Sequence, residues 1–96
     1  MNSSKILETL KEYKEKKSEQ YGINRIGLFG SYAKGTAVKK SDVDVVIDIR
    51  KPDLFTLVHI KDELEELLNV RVDIVRDRRE MNSYLKKHIE KEAIYV

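Results

Sequence analysis

Residues 27–48 read GLFGSYAKGTAVKKSDVDVVID, a stretch that places the pair Gly30-Ser31 ten residues ahead of Asp42-x-Asp44. A packed core does not ask for glycines, small hydroxyls and alternating carboxylates in one short segment. The run DVDVVIDI has a period of two, so Val43, Val45, Ile47 and Ile49 share one face of a strand, and Asp42, Asp44, Val46 and Asp48 share the other. Asp42 and Asp44 thus leave the sheet on the same side, with Cα atoms about 6.7 Å apart. Unpaired, their charges repel by roughly 2–3 kcal/mol at an effective dielectric of about 20, and by well under 1 kcal/mol if fully hydrated. If the face is partly buried, something must offset that repulsion. A hard divalent cation with oxygen ligands, Mg²⁺ before others, does so, particularly one that also holds substrate phosphates.

Upstream, NRIGLFG reads as a short strand and SYAKGTA as a short helix or turn. Gly30 and Ser31 fall at their junction, where backbone N–H groups and the Ser31 hydroxyl face an anion and glycine lets a phosphate come close. The spacing from Gly30 to Gly35 imitates a P-loop, but the lysine that must follow the second glycine is Thr36 here, which excludes that reading. Downstream of the Lys51-Pro52 break, Asp53 caps a helix carrying Leu54, Leu57, Val58, Leu64, Leu67 and Leu68, and Asn69 closes it before the strand VRVDIV. A right-handed crossover through that helix lays this strand parallel to the acidic one, as a second inner strand, and brings in Asp73 as a third acid. At the N-terminus, Ser3 or Ser4 caps a helix with Ile6, Leu10 and Tyr13 inward, ended by Gly22. A last helix from about Asn82 to Lys91 turns Leu85 and Ile89 inward and leads to AIYV, a short edge strand. The expected fold is α/β (α+β): a small mixed sheet of three to four strands flanked by helices, forming a single domain over residues 1–96.

Composition narrows the function classes. Nineteen Lys and Arg against seventeen Asp and Glu leave a net charge of +2, too small to argue for nucleic acid. The basic runs KEYKEKK, RDRRE and KKHIEK are mixed in sign and read as solvated surface, so no direct nucleic-acid contact is expected. There is no cysteine, hence neither a disulfide framework nor a thiolate metal site. The first residues become charged too soon for a signal peptide, and no apolar run approaches the ~18 residues of a membrane span, which makes a cytoplasmic protein the expectation. His59 and His88 lie on separate helices without ligand partners at short spacing and are not candidates. The five tyrosines read as core and rim, and Asp48 as a solvated continuation of the acidic face.

The pattern G-S, ten residues, D-x-D resembles the active-site signature of the polymerase-beta-like nucleotidyltransferases, on Gly30, Ser31, Asp42 and Asp44. The short chain resembles the minimal nucleotidyltransferases, often the antitoxin half of HEPN/MNT toxin–antitoxin pairs. The resemblance implies a nucleotidyltransferase fold in which Asp42 and Asp44 bind Mg²⁺ and Asp73 completes the metal site and acts as a base. It implies too that Gly30 and Ser31, with Lys34 and Ser41, hold the triphosphate of ATP. Lys34 stands where many relatives carry arginine; it keeps the charge and loses the bidentate fork. The implied reaction moves AMP from ATP to a hydroxyl, a tyrosine's, on a HEPN-domain toxin encoded nearby. Within 96 residues no second domain is expected to grip an RNA end, a sugar or an antibiotic, so acceptor recognition falls to the partner. The alternative is an antitoxin that neutralises its partner by direct binding, its nucleotide site weak or vestigial. Three intact acids favour the enzyme.

Overall fold

The apolar side of the acidic strand becomes the floor of the core. A computed structural model describes residues 2–37, 42–51, 53–77 and 83–96, as α1 (Ser3–Tyr21), β1 (Ile23–Phe29), α2 (Ser31–Lys34), β2 (Val43–Ile49), α3 (Leu54–Leu68), β3 (Val72–Arg76), α4 (Ser83–Glu92) and β4 (Ile94–Tyr95). The strands form one mixed sheet in the order β3-β2-β1-β4; β1 runs antiparallel to β2 and β4, and β2 parallel to β3. The expected parallel crossover is present, but β3 lies at the sheet edge rather than inside it. The second interior strand is β1, because β4 adds to its free side.

Period-two burial is followed closely: Val43, Val45, Ile47 and Ile49 meet Ile6, Leu10 and Tyr13 of α1 and Ile60, Leu64 and Leu68 of α3 in one core. On α3 the inward row is spaced by four, so Leu64 and Leu68 point in with Ile60, while Leu54, Val58 and Leu67 are exposed. On α4, Ile89 is buried and Leu85, expected inward, is exposed; the proposed start at Asn82 lies outside the described residues. The cap of α1 is Asn2, whose side chain accepts the Lys5 N–H at 2.9 Å, so Ser3 and Ser4 are already helical. Asp53 caps α3 as expected, accepting the Phe55 N–H at 2.9 Å, and Asn69 closes it in a left-handed conformation.

One carboxylate couples the two helices that cover the sheet. Glu63 of α3 accepts hydrogen bonds from the hydroxyls of Tyr13, at 3.1 Å, and Tyr21, both on α1. Burial, and then the Glu63 charge, push the Tyr13 phenol far above its ordinary range; for Tyr21 the hydrogen bond to Glu63 is the main cause of a rise.

The opposite face of the sheet carries the acids, yet Val46 on that face is fully buried, outside the main core cluster. Its in-register neighbour on β1 is Gly27, which in turn pairs with Tyr95. A Cβ on Gly27 would come within 2.9 Å of the Tyr95 ring and of the Ile94 carbonyl, so the missing side chain leaves room for that ring against the sheet. Among the described residues no helix is long and apolar enough to cross a membrane.

Candidate functional site

Strand β1 ends at Phe29, opposite Asp44 in the β1–β2 register, and the chain then turns sharply at Gly30 with φ 76° and ψ −151°. L-residues rarely adopt that backbone conformation. A Cβ at Gly30 would collide with the Asp44 carboxylate, whose Cγ would stand 3.1 Å away. The space left by the glycine, expected to admit a phosphate, is taken up by the second acid of the D-x-D pair. Ser31, half-buried, opens the four-residue α2; its carbonyl accepts the Thr36 N–H at 2.9 Å, and no side chain caps the helix.

On its other flank Asp44 lies in register with Asp73 of β3, and the Val43 N–H donates to the Arg71 carbonyl at 2.9 Å, fixing the start of that pairing. Asp42 sits one residue before β2. Burial first, then the charges of Asp73 and of Asp42, push the Asp44 carboxyl above the usual range. Asp42 and Asp73 are therefore each within electrostatic reach of Asp44. Among the described residues, no set of three potential ligands is already closed around a common point. Sharing a cation would thus require side-chain rotation. Mg²⁺ shares its positions among carboxylates, water and substrate phosphates, so it does not need an all-protein cage. An all-oxygen donor set with mutual repulsion to relieve fits such an ion.

Lys34 is paired with α4: its Nζ lies 3.3 Å from a Glu92 carboxylate oxygen, and the other oxygen is 3.8 Å from His88 Nδ1. Ser41, expected at the nucleotide, lies outside the described residues. Glu92 went unnoticed in the sequence because nothing local links it to Lys34. At the far end of the same sheet face, Arg25 of β1 reaches across β2 to Asp77, with Nη2 and Oδ2 2.8 Å apart, and its guanidinium stacks 4.4 Å from the Tyr95 ring centre. Asp48, read as solvated, is half-buried and in register with Arg25. Strand alternation could have placed Arg25 and Asp48 on this face, though not paired them.

A groove of about 600 Å³ between α1 and α3, lined by Tyr13, Lys17, Glu63 and Leu67 among others, contains none of the three acids. A smaller one, about 330 Å³, runs along the β3 edge and includes Asp73. The acidic face is the better candidate although neither groove contains Asp42 or Asp44, because charge repulsion there calls for a ligand.

A mixed sheet that presses a Gly-Ser turn against a D-x-D strand, with a further acid on the adjoining parallel strand, defines a nucleotidyltransferase. The chain belongs to the nucleotidyltransferase domain family, whose profile matches residues 6–96, and it is a nucleotidyltransferase of the minimal type. It is 36% identical over 88 residues to protein adenylyltransferase MntA of Thermococcus cleftensis, covering 91% of this chain and 88% of MntA. It is also 36% identical over 94 residues to MJ0126 of Methanocaldococcus jannaschii, covering 97% and 96% of the two chains. Its fold matches a solved minimal nucleotidyltransferase with a TM-score of 0.75 at 35% identity, over 98% of this chain and 95% of the other. The same fold occurs, at 17% identity and a TM-score of 0.70, in a complex of a tri-AMPylated Shewanella oneidensis HEPN toxin with its MNT antitoxin; 97% of this chain and 70% of that one are covered.

Proposed function

We propose that this protein is a cytoplasmic antitoxin that transfers AMP from ATP, with Mg²⁺, to a tyrosine hydroxyl of a HEPN-domain toxin. The observation that carries the reading is the position of Asp44, packed on Gly30 and in register with Asp73. Support comes from the likeness to MntA and from the fold shared with an antitoxin bound to an AMPylated HEPN toxin.

In this reading the Gly30-Ser31 turn holds the triphosphate, the Ser31 hydroxyl donating to a phosphate oxygen, and Lys34 leaves Glu92 to meet phosphate charge. Asp42, Asp44 and Asp73 hold Mg²⁺, which when bound offsets charge on the phosphates. Asp73 takes the proton from the acceptor hydroxyl. The phenolic oxygen forms a bond to the α-phosphorus, the bond from that phosphorus to the bridging oxygen breaks, and pyrophosphate leaves with the electron pair. Attached AMP adds a negative charge and bulk to the toxin, both unfavourable to RNA entry.

The test is mass spectrometry of the HEPN-domain protein after incubation with this chain, ATP and Mg²⁺. AMP increments on a tyrosine, lost with Asp42→Asn/Asp44→Asn, are expected. Full neutralisation without added mass, with the double variant equally protective, would instead establish a partner-binding protein without transfer.

A further inference from the structure

Leu54 and Phe55 open α3 with 72% and 76% of their surface exposed, and Val58, one turn on, has 48%. The core has no need of them there: Asp53 caps the helix whatever follows, and the inward side of the helix is carried by Leu57, partly buried, and then by Ile60, Leu64 and Leu68. Isolated exposed apolar residues are ordinary, but these three are neighbours on one helix, and two of them, Leu54 and Val58, line a groove. That groove, about 330 Å³, is lined by Leu54, Val58 and Ile74, by the cations Lys61 and Arg76, and by Asp73 at its rim. The apolar patch and one of the three acids therefore belong to a single continuous surface.

The strand order says what should lie on it. On the β1 side of Asp44 stand Gly30 and Ser31, the turn assigned to the donor nucleotide; on the β3 side stands Asp73, and beyond β3 the described sheet ends. In-line displacement puts the attacking hydroxyl and the leaving pyrophosphate on opposite sides of the α-phosphorus, so with the triphosphate at the Gly30-Ser31 turn the acceptor comes over the β3 edge. We propose that the first turns of α3 and the β3 edge form the docking surface of the acceptor protein. It takes a segment that presents apolar side chains and an acidic group beside the acceptor hydroxyl. The acidic group is called for by Arg76, which has no ion pair among the described residues, and by Lys61, which shares Glu65 at 3.8 Å. Docking there would deliver the hydroxyl to Asp73 and make its attack effectively intramolecular. The inference rests on the reading of the chain as a protein-modifying transferase.

The test compares the native chain with Leu54→Asp/Phe55→Asp, using a HEPN-domain protein from the same genome as acceptor. Acidic side chains are favoured in the first turn of a helix, so the variant should fold, as circular dichroism will verify. Its Kd for ATP with Mg²⁺ should be unchanged, while KM for the acceptor rises about tenfold or more and kcat stays within about twofold. Arg76→Ala should raise the same KM about threefold, with Arg76→Lys restoring part of it. Unchanged KM in the double variant, with the native chain transferring AMP, would overturn the docking surface and leave the transferase reading standing. A native dimer split by the double variant without change in KM would assign the patch to a second copy and overturn it too. No transfer by the native chain to the HEPN-domain protein would overturn the underlying function, and this inference with it.

Discussion

Gly30→Ala should damage stability and transfer together, and the structure sets the size of both effects. The backbone at φ 76° and ψ −151° is strained for any L-residue, at a cost of about 1–3 kcal/mol. The new methyl group would overlap the carboxylate end of Asp44, and would stand 3.1 Å from its Cγ and 3.3 Å from its Cβ. A carboxylate can rotate away, but the two carbons can recede only if the side chain or strand end shifts. A total loss of about 2–4 kcal/mol follows, corresponding to a fall in Tm on the order of 10–20 °C for a chain of this size. Displacing Asp44 by about 1 Å should lower the transfer rate roughly a hundredfold. The natural control is Gly35→Ala, since Gly35 also has positive φ, 75°, but a Cβ there meets nothing within 4 Å. It should lose only about 1–2 kcal/mol of backbone energy and keep its rate. Calorimetry gives Tm, and AMP transfer is followed well below the Tm of either variant. If Gly30→Ala melts no lower than Gly35→Ala and transfers AMP at the native rate, the packing of Gly30 on Asp44 has no functional consequence.

Asp44 is held above the usual carboxylate range, so the folded state prefers it protonated; the stability it gives is full in acid and lost as pH rises through that raised value. Asp44→Asn should therefore stabilise the metal-free protein at pH 7, by up to about 1 kcal/mol after allowing for solvent screening, and urea titrations at acid and neutral pH will measure it. The phenols of Tyr13 and Tyr21 are likewise raised, and their contribution is full below a pH of about 10 and lost as pH rises above it. Tyr13→Phe should flatten that alkaline loss, and Glu63→Ala should cost about 2–3 kcal/mol at pH 7, both read from denaturation midpoints. Glu92→Gln frees Lys34 and should tighten ATP binding by about two- to fivefold, an effect that calorimetry should find absent when Lys34→Ala is also present.

Strand β2 was legible because its period of two is local: four aliphatics inward and the acids outward follow from the residue order alone. Asp53 and Asn69 were equally legible as helix ends, since capping acts over two or three residues. The edge position of β3 was not, because it depends on which side of β2 the antiparallel β1 occupies, and no local pattern encodes that choice. Apolar content misled on α3 and α4, where Leu54, Val58 and Leu85 match the residue types of a core but not its direction. The spacing from Gly30 to Asp44 pointed to the candidate site, yet their packing against each other arises only when β1 and β2 pair. The same holds for Lys34 and Glu92, joined across 58 residues by the docking of α4.

Because β2 presents its core to α1 and α3 and its acids to the other side, changes to the chemistry need not disturb the fold. An aspartate codon becomes an asparagine codon by a single base change, and at Asp42 or Asp44 that change removes charge without removing any aliphatic contact. A lineage can thus abandon catalysis in one step and still make a folded chain whose α3 surface and β3 edge are intact. Selection would then act on the grip alone, and an enzyme that silences by modification would have descendants that silence by occupancy.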